Sequence, residues 1–404
     1  MNREAASENQ LDYPMPRTCP FDPPSALIKL QEEEPIRRVR IWDGSHPWLV
    51  TGYNAAREIL SDRRMSVDSD RPGYPFSSDG GRGRRQVNKV LVNMDDPEHQ
   101  FVRRMLTRDF MVTRTRAMRP QIQETVDQLI EKMLAGPKPA DFVEALALPL
   151  PSLVICQLLG VPYEDSRYLE ELSRIQLSQI STAEQTAAAL RAMLDFLGKV
   201  VDEKDKNPQD DVISRLVVEQ MRTRVMQRHE VVNACQTLFL AGHETTANQI
   251  ALSTLVFLQN PELLERLRTA EDPAVIANAV EEMLRYLTVI HLGRARVATE
   301  DFEFHGQHIK AGDGVIVALN AANRDEDAFE NPNQVDINRK ARHHIAFGFG
   351  IHQCLGQPLA RVELEVVYST LYRRIPTLAL AVPFEDIEFK NSLVYGVRAL
   401  PVTW

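Results

Sequence analysis

The sequence predicts a mainly α-helical fold with a minor β part. Apolar residues recur at helical spacing through most of the chain, strand-like runs are few and short, and no Gly/Ser- or Pro-rich linker or internal repeat divides the 404 residues. With 44% hydrophobic and 25% charged residues, the composition is that of a globular protein with a large core. We expect one domain over 1–404, with 1–20 a flexible N-terminal segment.

The elements can be justified in order. "IRRVRIW" and "PWLVTG", both near the start, read as strands. "DSDRPGYPFSSDGGRGRRQ" is dense in Gly, Pro, Asp and Ser and reads as a long exposed loop, of the kind that serves as a lid or binding element. "QIQETVDQLIEKMLAGPKP" is an amphipathic helix stopped by Gly136 and Pro137, and "TAAALRAMLDFLGKVVDEK" another. "NPELLERLRTAED" opens with Asn260 as N-cap and Pro261 at the first helical position. "GVIVAL", after Gly312, is a further strand.

The longest periodic stretch runs from His229 to Asn260 and reads as one helix of about 30 residues, about 45 Å long. Gly242, His243, Glu244, Thr245 and Thr246 interrupt its apolar run at the centre, where lipid would tolerate them least. No membrane span is expected. The polar break needs another reason.

The formal net charge of −9 argues against nucleic acid as a partner. Basic residues nevertheless crowd together at Arg82, Arg84, Arg85, Lys89, Arg103, Arg104, Arg108, Arg114, Arg116 and Arg119. Such a run is either a solvated face or a docking patch for an acidic protein. The opening "MNREAASENQLDYPMPRTCP" has no apolar h-region, and Cys19, Cys156, Cys235 and Cys354 are far apart with no CxxC. Both features point to a reducing cytoplasm.

"FGFGIHQCLG", Phe347 to Gly356, sets Cys354 between a glycine-studded loop and a helix carrying Pro358. A helix N-terminus stabilises a thiolate through its free N–H groups and its dipole. Gly348, Gly350 and Gly356 let backbone N–H groups approach the sulfur, and Phe347 could shield it from water. Phe347-Gly348-x-Gly350-x-His352-x-Cys354-x-Gly356 resembles the haem-binding signature of the cytochrome P-450 haem-thiolate monooxygenases.

Further motifs follow in that family's order. "EEMLR" supplies Glu282 and Arg285, similar to its ExxR pair, and Arg339 resembles the third member of that buried cluster. "AGHETT" resembles its oxygen-activation motif, "DDPEHQFVRR" gives His99 and Arg103, and "RVATEDFEF" gives Arg296, each similar to a haem-propionate partner. Taken singly, these have plainer readings. Cys354 could be core filler, Glu282 with Arg285 a surface ion pair, and His343, His344, His352 and Cys354 a zinc cluster, though one without regular spacing. Their joint occurrence favours the family.

The resemblance implies a cytochrome P-450 fold, with haem b between the long distal helix and the proximal Cys354 loop. Cys354 would be the axial ligand, and Arg296, His352, His99 and Arg103 the propionate partners. Ala241 and Gly242 would leave room for O₂, Thr245 would hydrogen-bond it, and Glu244 would relay protons. Electrons would come from a ferredoxin and its reductase, docked transiently on the basic proximal surface of a monomer. The actinomycete branch it resembles oxidises polyketides, macrolides, statin-type compounds and secosteroids, or degrades xenobiotics. The pocket would draw on Leu91, Val92, Leu238, Val289, Ile290, Leu292, Leu393, Val394 and Tyr395. Two rivals stay open at this point: a haem enzyme of this fold using peroxide or nitric oxide, and a non-catalytic haem- or ligand-binding protein.

Overall fold

The computed structural model describes residues 11–404 apart from 86, 88 and 391. Its helices in chain order are α1 (Ser25–Glu33), α2 (Tyr53–Ser61), α3 (Asp79–Arg85), α4 (Glu98–Thr107), α5 (Val112–Ala117), α6 (Arg119–Leu134), α7 (Pro149–Leu159), α8 (Ser166–Leu177), α9 (Ala183–Lys206) and α10 (Val212–Leu216). They continue with α11 (Arg228–Gly242), α12 (Glu244–Leu258), α13 (Pro261–Thr269), α14 (Pro273–Leu287), α15 (Leu319–Ala322) and α16 (Gln357–Arg374). The strands are β1 (Ile36–Arg38), β2 (Trp48–Val50), β3 (Met65–Ser66), β4 (Ala140–Asp141), β5 (Arg294–Ala298), β6 (Phe302–Phe304), β7 (Gln307–Ile309), β8 (Gly314–Val317), β9 (Ala379–Leu380) and β10 (Pro401–Thr403). The fold is therefore mainly helical with a small β part.

The main sheet has the order β1-β2-β8-β5-β3. Only β2 and β8 pair in parallel, with Leu49 opposite Ile316. β5 lies antiparallel to β8 with Arg296 opposite Val315 and Arg294 opposite Val317, which sends both arginines to one face by the two-residue period. The largest apolar cluster is helical and takes in α6, α7, α9, α11, α12, α14 and α16; a second lies under the sheet and α2.

Local chemistry explains the helix ends. α9 begins with a capping box in which Thr182 accepts from the Gln185 N–H and Gln185 accepts from the Thr182 N–H. α14 begins with the Asp272 carboxylate accepting from the Ala274 N–H. α13 departs from expectation. Asn260 precedes Pro261, but its side-chain amide donates to the Val256 carbonyl at 2.6 Å instead of capping.

Three further expectations are corrected. The stretch 68–86 is not all loop, because α3 forms within it. The helix expected over 229–260 is two helices that meet at His243 (φ −102°, ψ −54°). The segment expected to be flexible is anchored over its described part: the Tyr13 N–H donates to Arg40 O at 2.8 Å, Tyr13 and Met15 are buried, and the Arg17 guanidinium sits 4.0 Å over the Tyr395 ring. Residues 1–10 lie outside the described residues. Among the described residues, no helix is long and apolar enough to cross a membrane.

Candidate active site

The loop before α16 is shaped by backbone demands. Gly348 and Gly350 hold φ of +72° and +73°. At Gly350 a Cβ would also stand 2.6 Å from the Leu60 carbonyl oxygen, so α2 and the backbone angle both require glycine there. The Cys354 N–H donates to Phe347 O at 2.9 Å and closes the loop. Backbone N–H groups of Gly356 and Gln357, at the start of α16, donate to the Cys354 sulfur. Burial raises the Cys354 thiol above its ordinary value, against the pull of those N–H groups, Arg294 and Arg103. A metal cation at the sulfur would reverse that balance and hold it as thiolate.

A buried network braces this loop from behind. The Arg361 guanidinium lies 4.7 Å over the Phe347 ring and its Nε donates to Glu281 Oε1 at 2.6 Å. The Ala346 N–H donates to His344 Nδ1 at 3.1 Å, which leaves Nε2 carrying the ring proton towards Glu281 Oε2 at 3.1 Å. Burial would raise the Glu281 carboxyl, but His344 and Arg361 outweigh it and bring it down to about 2. With His344 so engaged and His343 stacked on Phe329 at 4.5 Å, the histidines do not converge on Cys354 as zinc ligands.

The break between α11 and α12 faces this loop across a cavity of about 450 Å³ lined by both Cys354 and Thr245. Thr245 Oγ1 donates to Ala241 O at 2.8 Å, so its proton is committed to the helix and its lone pairs are left for the cavity. Ala241 and Gly242 line the same wall. A Cβ on Gly242 would come 3.0 Å from Ile155 Cδ1, so packing against α7 also asks for glycine. Glu244 is not on the cavity wall. It is buried, and its Oε1 lies 3.2 Å from Lys390 Nζ. Burial would raise the Glu244 carboxyl, but Lys390 and His243 hold it below its ordinary value.

Histidines and arginines gather at one side of the cavity. His99 and His352 have ring centroids 4.1 Å apart. Burial, followed by His99 and the nearby arginines, brings the His352 imidazole down to about 3. Arg103 donates to Gln353 O at 2.7 Å, and Arg296 donates to Ala295 O at 2.9 Å. Burial brings the Arg296 guanidinium down to about 10. Arg294 faces the cavity too, and among the described residues the ionisable groups that pull on it are the Cys354 thiol and the Tyr74 hydroxyl. His99 Nε2 is buried without a partner. Guanidiniums without a carboxylate salt bridge among the described residues, a buried imidazole nitrogen without a partner and a sulfur fed by N–H groups suit a planar dianion with a central metal, and haem fits this donor set.

The structure brings most of the expected residues together. Phe347, Gly348, His352, Cys354 and Gly356 line the cavity on the loop side. Leu238, Val289, Ile290, Leu292, Leu393 and Val394 line it elsewhere, and Leu91 and Val92 lie along its edge, Val92 53% exposed. Tyr395 does not line it; its ring stacks on Phe389 at 5.6 Å. Glu282 and Arg285 sit apart from the cavity, both 0% exposed and joined by two 2.8 Å bonds. Arg285 donates further to Asn323 O and Pro332 O, and Arg339 Nε reaches Glu282 Oε1 at 3.3 Å. Arg294, Lys390 and Arg361 were not expected. Arg294 had a signal in its two-residue offset from Arg296; Lys390 and Arg361 had none, since their partners are distant in the chain.

Comparison with known proteins gives a consistent result. The Cytochrome P450 family profile matches residues 172–375. The chain is 48% identical to Cytochrome P450-SU2 of Streptomyces griseolus, over 96% of this chain and 94% of that protein. It is 47% identical to Pentalenic acid synthase of Streptomyces avermitilis, over 97% of each. The crystal structure of GfsF superposes with a TM-score of 0.91 at 48% identity, covering 98% of this chain and 100% of that one. The structure of CYP105P1 with filipin I superposes with a TM-score of 0.90 at 38% identity, covering 98% and 99%.

Proposed function

The chain belongs to the cytochrome P450 family, and from that premise we propose that it hydroxylates a bulky hydrophobic small molecule with electrons from a ferredoxin and its reductase. It is a haem b monooxygenase, as its family and relatives are. Haem b, when bound, supplies the reductive activation of O₂, with one oxygen atom going to the substrate and the other to water at the expense of two electrons and two protons. The remaining roles belong to the chain. We take 1–404 to act as one domain and as a monomer.

Cys354 Sγ is the residue to bind the metal, and the Gly356 and Gln357 N–H groups moderate its charge. Arg103, Arg294, Arg296 and the His99–His352 pair are the residues to hold the two propionates. Thr245 Oγ1, its own proton given to Ala241, presents an acceptor towards the cavity. Glu244 can carry protons to that point once it parts from Lys390. Leu238, Val289, Ile290, Leu292, Leu393 and Val394 supply an apolar wall for the substrate. A neighbour solved with filipin I bound and another with mycinamicin VIII support a substrate of polyketide, macrolide or similar type.

The observation that carries the reading is the cavity bounded by Cys354 on one side and by the Thr245 helix break on the other. A spectral titration of the haem-loaded protein against a library of polyketides, macrolides and steroids should give saturable displacement of the iron-bound water. Turnover of the hits with a ferredoxin and reductase should yield stoichiometric product. A library that gives neither would remove the substrate class. Cys354→Ser should abolish the red-shifted ferrous–CO Soret band, and persistence of that band would mean another axial ligand.

A further inference from the structure

Among the described residues, Arg84 is an arginine on the cavity wall without a counter-ion. It sits on α3, which is laid firmly onto α9: the Asp79 carboxylate accepts from the Ala183 N–H at 2.9 Å. A Cβ on Gly83 would stand 2.4 Å from Ala183 O, and one on Gly80 2.8 Å from Ser181 O. The helix is therefore held at a fixed depth, and Arg84 with it. The guanidinium donates through Nη1 to the Gln176 carbonyl near the end of α8 and lines the cavity beside Leu177 and Leu190. Its neighbour Arg85 also lines the cavity but pairs with Asp70.

Arg84 differs from Arg103, Arg294 and Arg296 in its anchor, a short helix tied to α9 and a carbonyl of α8. Arg103 and Arg294 both feel the Cys354 sulfur, and Arg294 and Arg296 share β5. Those three line the cavity with Cys354 and would hold the two carboxylates that haem b brings. The Cys354 sulfur does not act on Arg84: among the described residues, the one ionisable group that pulls on it is the Tyr74 hydroxyl, which Arg294 and Arg296 share. With no acid at hand, burial depresses its guanidinium. A half-buried cation held on a cavity wall costs desolvation free energy unless something that binds there offsets it. Gln236, buried on α11 with its amide oxygen unpaired among the described residues, is a further polar group of the same lining.

We propose that the substrate of this site is an amphiphilic acid, an apolar skeleton bearing a carboxylate that pairs with Arg84 while the apolar body extends towards the Cys354 end. This rests on the hydrophobic-substrate reading above and narrows it. A guanidinium takes a carboxylate through two parallel N–H bonds, whereas a neutral ester offers one weak acceptor and no charge.

The test is a set of matched pairs, dodecanoate with methyl dodecanoate and abietic acid with methyl abietate, titrated into the full-length haem-loaded protein by absorbance and by equilibrium dialysis. For a pair that binds, the acid should bind roughly 10- to 100-fold more tightly than its ester, as expected of hydrogen bonds to a charged group. Arg84→Gln should bring the two within about twofold, and Arg84→Lys should restore part of the preference. Circular dichroism would confirm that both variants fold. A panel in which no acid outbinds its ester, or a preference untouched by Arg84→Gln, overturns the proposal. Ester binding and oxidation without acid preference would sink Arg84 alone and leave the hydrophobic pocket standing; an ester binding only outside the cavity would sink both.

Discussion

Thr245 gives its hydroxyl proton to the Ala241 carbonyl, so what it can offer a ligand is a hydrogen-bond acceptor at a fixed place. Thr245→Ala should still bind O₂ but release more of its reducing equivalents as peroxide, with Thr245→Ser largely recovering the yield. Product formed per NADPH consumed is the measurement, and an unchanged ratio would remove Thr245 from proton handling. Glu244 is poised differently, as a buried anion held by Lys390. Without that ammonium, burial is left as the main influence and the carboxyl rises. Lys390→Met should therefore move the Glu244 limb of the turnover–pH profile upward, and Glu244→Gln should erase it. A profile that stays in place would reduce Lys390 to a strut. Cys354, Thr245 and the Glu282–Arg285 pair were readable in the sequence because each sits in a short run whose spacing reflects local geometry. Lys390 and Arg84 were not, because what matters about them is which distant side chain is, or is not, beside them.

The break between α11 and α12 was legible as polar residues inside an apolar run, although its form, two helices instead of one, was not. Periodicity reports which face is buried and is insensitive to one distorted residue such as His243. α3 was missed for a related reason: glycines that suggested loop are there because α9 lies too close for side chains. The loop before α16 was legible in its glycines but not in its brace. His344 is lowered by burial, then by Arg361 and Arg285, against the pull of Glu281. A depressed histidine leaves stability intact above its unfolded value of 6.5 and erodes it as pH falls from there through the folded value. Glu281 is depressed as well, so its share is present above 4.5 and is lost towards about 2. The melting temperature should fall between pH 7.5 and 5.5, and fall less in His344→Asn, whose amide oxygen can still accept from the Ala346 N–H without titrating. Equal losses in the two proteins would place the sensitivity elsewhere.

Across the whole molecule, the basic run does not form one patch. α3, with Arg82, Arg84 and Arg85, packs on α8 and α9, whereas α5 packs on α16 beside the Cys354 loop. Arg103 is turned towards the cavity, and Arg108 and Arg119 are partly engaged by Glu219 and Glu365. What remains near α16 is an exposed surface with Arg104, Arg114 and Arg116 around Met111 and Val112, which are 52% and 50% exposed. A basic rim about an apolar centre suits an acidic electron donor. Arg104→Glu should slow reduction by ferredoxin several-fold at low salt and leave substrate affinity unchanged, with the deficit shrinking as salt is added. Stopped-flow reduction rates that match the parent would move the docking surface elsewhere. The overall fold was legible because the helical pattern runs through most of the chain; the split of the charges was not, because only tertiary packing separates neighbours in sequence. Tyr13 and Pro14 belong to the cavity wall, and Arg17 caps the tyrosine that ends the Leu393–Tyr395 turn. Trimming the chain back past Arg17 would therefore take away part of the cavity wall together with the cation that pins Tyr395, and loosen the catalyst's grip on its guest.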